Sequence, residues 1–230
     1  KKSSSINDRI DILKKTLMII FNSNWTLNQF IKGINKKFYK NKLKVIHQST
    51  NKKKINFKNK KKIIIFVGRL NKSKGYDIFG KAVINILNKF PNWKAIAIGD
   101  EPREKIIFNH KRLKTLGFKN NNIVTNWFKK SDISVVCSRI DEPFGRTALE
   151  ASSAGCAVII SNKGGLPEAS SSAIKIKNLS IRNLQKKIEK IINNEKYKKD
   201  LQKKIYKNFK LTNELAAKKI DEYRTKIIKT

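Results

Sequence analysis

The chain has 230 residues, 39% of them hydrophobic, and a formal net charge of +36 from 53 basic and 17 acidic side chains. That is room for one large domain, or one and a half, around a real core. The runs Leu17–Phe21 and Ile63–Val67 have five apolar residues each and Ala154–Ile160 is barely longer, far below the roughly 18 needed to span a bilayer. No secretory signal is visible.

The charge invites a nucleic-acid reading, but 45 of the basic residues are Lys and only eight are Arg, beside 25 Asn and abundant Ile. Lys, Asn and Ile together are what an AT-rich genome encodes wherever selection is loose. Proteins that read bases and phosphates favour the Arg fork. The compositional reading therefore stands first, a basic face for an anionic membrane surface second, and nucleic acid last. Cys137 and Cys156 lie in apolar, strand-like runs without Cys-x-x-Cys spacing and read as core thiols of a reducing compartment. With only His47 and His110, no His/Asp/Glu cluster has metal-ligand spacing, so a metal held wholly by protein is not expected. The start at Lys1-Lys2, without Met, suggests a piece of a longer protein.

In chain order, Asp8 to Lys15 has helical spacing, Leu17–Phe21 reads as a short buried strand, and a helix starts at Asn24 with Trp25, Leu27, Phe30 and Ile31 on one face. Leu43–Ile46 is a strand, and the Lys/Asn-rich residues up to 62 mark a linker. A regular alternation follows: strand Ile63–Val67, turn Gly68–Gly75, helix Tyr76–Phe90, strand Trp93–Ile98, a helix over residues 102–116, strand Ile133–Cys137, helix Arg146–Ala154 and strand Cys156–Ile160. Near-continuous apolar strands between helices predict an α/β, doubly wound (Rossmann-like) parallel sheet covered on both faces. Its ligand would lie beyond the carboxyl ends of the strands. Only eight residues separate Ile123-Val124 from Ile133-Ser134, too few for a crossover between parallel strands. Either a crossover has been lost, or residues are missing between Asn126 and Trp127; the second is preferred. The tail predicts helices at Ile181–Asn193, Glu195–Lys207 and from Thr212, the last with Leu215, Ala216, Lys219, Ile220 and Tyr223 spaced to bury a stripe.

The chemistry concentrates at strand ends. Gly68 lets the backbone turn, and Arg69 and Lys74 extend from the same loop, where a guanidinium and an ammonium can grip a diphosphate. Glu142 lies in a Pro-containing loop. Gly145 precedes a helix start whose free N–H groups form an anion site. Glu150 sits on a largely buried helix and needs a partner such as a ribose. Gly164-Gly165-Leu166-Pro167-Glu168 is a turn that brings backbone close to a ligand, and Gly99-Asp100 ends a neighbouring strand on the same edge.

Glu142 and Glu150 with Phe144-Gly145 between them and Glu-Ala-Ser-Ser-Ala-Gly following, together with Gly68-Arg69-Leu70, Lys74-Gly75 and Gly164–Glu168, resemble the two-glutamate signature of retaining glycosyltransferases of the GT-B fold (group 1 type). The likeness is strong over about residues 60–170. It implies a remnant of the N-terminal, acceptor-side domain at 1–50, an interdomain linker at 51–62, the C-terminal nucleotide-sugar-binding domain at 63–207, and a last helix at 208–230 packing back on the first domain.

The resemblance further implies that Arg69 and Lys74 neutralise the departing diphosphate and that Glu142 holds sugar hydroxyls at the reacting carbon. Backbone around Phe144, Gly145 and Arg146, with Thr147, would meet sugar and phosphate, and Glu150 would take the ribose. Gly68, Gly99, Gly164 and Gly165 would complete the donor site. The implied donor is a nucleoside diphosphate sugar such as a UDP- or GDP-sugar, with no metal required. The acceptor would be a glycan or lipid-linked sugar, and the location cytoplasmic or peripheral on the inner membrane face. His47 matches no family histidine and carries no role. The alternatives are a nucleotide-sugar-binding domain without activity in this form, and a basic nucleic-acid module.

Overall fold

The computed structural model of the protein describes residues 5–228. The chain opens with α1 (Ile6–Lys15), β1 (Ile19–Phe21), α2 (Asn24–Phe30) and β2 (Leu43–Val45). Helix α1 starts at a reciprocal cap, in which Ser5 Oγ accepts from Asp8 N and Asp8 Oδ2 accepts from Ser5 N. β1 and β2 pair in parallel over a small core of Leu13, Leu27 and Leu43. Leu17 is 74% exposed and lies outside the strand expected to hold it.

The larger unit runs through β3 (Lys61–Val67), α3 (Tyr76–Lys89), β4 (Lys94–Ile98), β5 (Leu113–Thr115), α4 (Asn121–Lys130) and β6 (Ser131–Val136). It continues through α5 (Arg146–Ser153), β7 (Ala157–Ser161), α6 (Leu166–Ala169), β8 (Ile174–Ile176), α7 (Ile181–Ile192), α8 (Glu195–Lys207) and α9 (Asn213–Ile228). Strands β3 to β8 form one parallel six-stranded sheet in the order β5-β4-β3-β6-β7-β8. Ile63–Phe66 and all of β7 are buried, because α3 and α7 pack together on one face while α4 and α5 pack together on the other. This is the doubly wound α/β architecture expected from the alternation of apolar runs and helices.

Three expectations are corrected. Residues 102–116 form no helix: a long loop leads into β5, pinned by Phe108. That ring packs edge-on against Tyr76, 5.4 Å between centroids, and fills the space a side chain at Gly80 would occupy. The missing crossover is also present. Ile123 and Val124 lie inside α4, which Asn120 caps by accepting from Ile123 N at 3.0 Å and which buries Val124 and Phe128 one turn apart. The chain passes from Asn126 to Trp127 within that helix, so the geometry calls for no lost residues. Finally, α9 packs less tightly than its stripe predicts: Leu215 and Ile220 are 46% and 41% exposed, while Ala216 and Tyr223 are half-buried and Lys44 Nζ lies 5.7 Å from the Tyr223 ring centroid.

The Lys/Asn-rich segment between the two units is docked along the larger one. Lys53 N donates to Ser153 O, Phe57 meets Tyr206 edge-on at 5.8 Å, and Ile55 and Phe57 lie over Gly155.

Candidate active site

The chain leaves β3 toward β4 and β5, then returns to β6 and moves the other way. The loops leaving β3 and β6 therefore diverge and open a crevice at the carboxyl edge of the sheet. The first of them is Gly68–Gly75. Asn71, buried, accepts from Lys74 N (3.0 Å) and Ser73 Oγ (2.8 Å), and donates to Glu101 Oε2 (3.0 Å). Arg103 beside Glu101 holds that carboxyl down to about 2, against its own desolvation. Gly75 takes φ +75°, and a Cβ there would overlap the carbonyl oxygen of Cys137. The loop after β6 grips this one from the other side. Arg139 N donates to Ser73 O at 2.9 Å, and the Arg139 guanidinium holds Asp77 through two bonds of 2.5 and 2.6 Å. That guanidinium keeps the Asp77 carboxyl below its ordinary value.

These contacts bring Lys74 Nζ to 2.5 Å from Glu142 Oε1, with side-chain exposures of 23% and 13%. Arg69 stands exposed on the same loop. Gly68 and Gly99 lie against each other at the ends of β3 and β4, where a Cβ on Gly99 would overlap Gly68 O. Beyond Glu142, Phe144 is buried, and its ring packs 5.6 Å from His47. Gly145 has φ +116° and begins α5 without a side-chain cap, which leaves the first N–H groups of that helix, including those of Arg146 and half-buried Thr147, open to an anion. One turn on, Glu150 is 14% exposed and accepts from Arg146 Nε at 2.9 Å.

Gly164 and Gly165, expected at the donor, also hold the Glu142 loop. Their N–H groups are already engaged by the Glu142 loop, Gly164 N to Asp141 Oδ1 at 3.0 Å and Gly165 N to Glu142 O at 2.7 Å. A side chain on either would overlap the backbone of residues 141–144. The pair seats Glu142.

The structure also gives roles to residues that the sequence left without one: Glu168, placed only in a glycine turn, and His47. Glu168 Oε1 accepts from Trp25 N (2.9 Å). Its Oε2 accepts from Asn24 N (2.7 Å) and Asn24 Nδ2 (2.9 Å) and lies 2.8 Å from His47 Nε2. Burial pushes the Glu168 carboxyl up, but these hydrogen bonds outweigh it and the group titrates below its ordinary value. Asn71, Glu101 and Arg139 position Lys74 in the same indirect way. Among the described residues no three His, Cys, Asp or Glu side chains are grouped as metal ligands, and no helix is long and apolar enough to cross a membrane.

The chain is 36% identical over 121 residues to spore coat protein SA of Bacillus subtilis, covering 47% of this chain and 32% of that one. It is 32% identical over 157 residues to an uncharacterized glycosyltransferase of Methanocaldococcus jannaschii, covering 55% and 38%. These matches span about a third of the length of either relative. Its fold superposes on Anabaena Alr3699/HepE, solved with UDP and glucose, with a TM-score of 0.77 at 17% identity, over 96% of this chain and 68% of that one. The model of the glycosyl transferases group 1 family matches residues 47–208, and the chain belongs to that family.

Proposed function

We propose that the protein carries the donor site of a retaining glycosyltransferase, which moves a sugar from a nucleoside diphosphate sugar to a glycan or lipid-linked acceptor in cell-envelope polysaccharide synthesis. The observation that carries this reading is the Lys74–Glu142 pair, set beside the open start of α5 at the point where the strand order reverses. A diphosphate entering the crevice draws Lys74 away from Glu142 and gains Arg69 as a second cation, so the departing charge is met by side chains and needs no metal. Glu142, released from Lys74, takes sugar hydroxyls next to the reacting carbon. The α5 N–H groups meet the phosphate and sugar. Glu150 exchanges part of its bond with Arg146 for the ribose, and the base lies along Gly99-Asp100. The Anabaena protein's complex with UDP and glucose makes UDP the first nucleotide to try. We place the protein in the cytoplasm, with its lysines able to meet an anionic inner membrane face at roughly 1 kcal/mol each.

The test is a thermal-shift titration with UDP, GDP and ADP at moderate salt, for the wild type and Glu150→Ala. A saturable shift for one nucleotide, weakened about tenfold or more in the variant, is expected; no shift with any of them sinks the reading. Arg69→Ala should lower turnover about 100-fold, and a mild effect would remove Arg69 from the diphosphate. A second reading is donor binding without turnover. Nucleotide binding without donor cleavage would single it out.

A further inference from the structure

We propose that Glu168 is a positioning residue that locks the N-terminal unit, residues 5–46, to the loop carrying Glu142, so that occupation of the donor crevice is felt at the start of α2. The clamp stands on geometry alone; its meaning for the reaction rests on the donor-site reading above.

Helix α2 has no acidic residue in its first turn. Its own cap, Ser23, accepts from Thr26 N at 3.0 Å, which leaves the N–H groups of Asn24 and Trp25 for another acceptor. Glu168 supplies it from α6, more than 140 residues further along the chain, with Oε1 on Trp25 and Oε2 on Asn24. Charge-assisted bonds to backbone N–H groups are short and strong for their kind, and His47 adds a fourth donor from the end of the strand that follows. A carboxylate with four donors is a built junction.

The site of that junction is what gives it a functional sense. Ser23 Oγ donates to Pro143 O at 2.5 Å, directly after Glu142. Gly165, three residues before Glu168, donates to Glu142 O, and Gly164 packs on the same backbone. Leu166 and Ala169, which flank Glu168 on α6, lie against Gly145 at the start of α5. The Glu142 segment is thus held between α6 on one side and the start of α2 on the other, and Glu168 bonds the two holders to each other. A ligand that pulls Lys74 from Glu142 relaxes or shifts this segment, and the displacement passes to α2 through Ser23 and Glu168. By thermodynamic reciprocity, the seating of the N-terminal unit changes nucleotide affinity by the same factor.

The experiment is hydrogen exchange by mass spectrometry on the full chain, comparing the wild type with Glu168→Gln and His47→Ala, without ligand and with saturating UDP. Without ligand, Glu168→Gln should speed exchange about tenfold or more in residues 22–30 and also in 141–145, leaving β4 and β5 as in the wild type. His47→Ala removes one donor of four and should give the same pattern more weakly, and it decides the matter where Glu168→Gln folds poorly. With UDP, the wild type should gain protection in residues 22–30. Glu168→Gln should lose that protection while UDP still raises its melting temperature. Unchanged exchange at 141–145 in Glu168→Gln, or UDP protection of 22–30 that survives the substitution, overturns the proposal. If no nucleotide shifts the wild type, the donor reading falls, and the ligand-free comparison still decides the clamp.

Discussion

In the six-stranded sheet Ile64, Ile65, Ile133 and the whole of β7 are sealed between helices, and Phe66, Tyr76 and Phe79 pack ring on ring within 5.1 to 6.3 Å. In the two-stranded pair the buried core is Leu13, Leu27 and Leu43, and a two-stranded sheet is marginal by itself in water. The large unit places its side chains by apolar packing. The small unit is placed by polar anchors, Ser23, Asn24, Trp25 and His47, on the rim of the crevice. The difference teaches where each half is vulnerable: the first to lost volume, the second to a lost acceptor.

Substitutions can break that contrast, the largest effect coming first. Phe79→Ala opens a hole in a fully buried ring cluster and should cost about 3–5 kcal/mol, read as one cooperative fall of the whole unfolding curve. Gly75→Ala imposes both a left-handed backbone and an overlap with Cys137 O. It should cost about 3 kcal/mol, or roughly 10 °C in Tm for a domain of this size, and a fall of under about 2 °C would mean the loop yields easily. Leu27→Ala should cost about 2 kcal/mol, confined to residues 5–46 in an exchange or limited-proteolysis experiment. A global fall of Phe79 size would show that the two units unfold as one.

The smallest effect is a matter of pH. The folded Glu168 carboxyl titrates below its unfolded value, so the stability it contributes is present above the ordinary carboxylate range and is lost as pH falls through the folded value. The Tm difference between wild type and Glu168→Gln should therefore be constant near neutrality and shrink below about pH 4. A difference that grows on acidification would remove the carboxylate form from the clamp.

What could be read from the chain followed the same division. Ile63–Val67, Ile133–Cys137 and Cys156–Ile160 announced themselves because strands buried on both faces are continuous apolar runs. The crevice loops were legible because their glycines and charges fall at strand ends. The run Ile123-Val124 misled, since two adjacent β-branched residues look like a strand; the Asn120 cap and the Val124/Phe128 spacing were the helical signal. Residues 102–116 carry apolar residues at helix-like intervals, yet Phe108 finds its partners on α3, a matter of tertiary placement. The same holds for Glu168 and His47. Their partnership spans 121 residues, and the hint available was a helix start with no acid of its own.

Cys137 gives the molecule a built-in clock. Its thiol is buried against Gly75 O at 3.2 Å, and burial pushes its pKa up to about 12, so in the folded protein it is neither accessible nor ionised near neutrality. An alkylating reagent can reach it only through an opening that uncovers the thiol, and the labelling rate rises with the frequency or the population of such openings. Cys156, equally buried but bonded to Phe128 O at the opposite end of the sheet, counts a different event. Two native thiols thus time the two ends of one sheet without an added probe, and a nucleotide that slows the first and spares the second would be seen closing only the end it occupies.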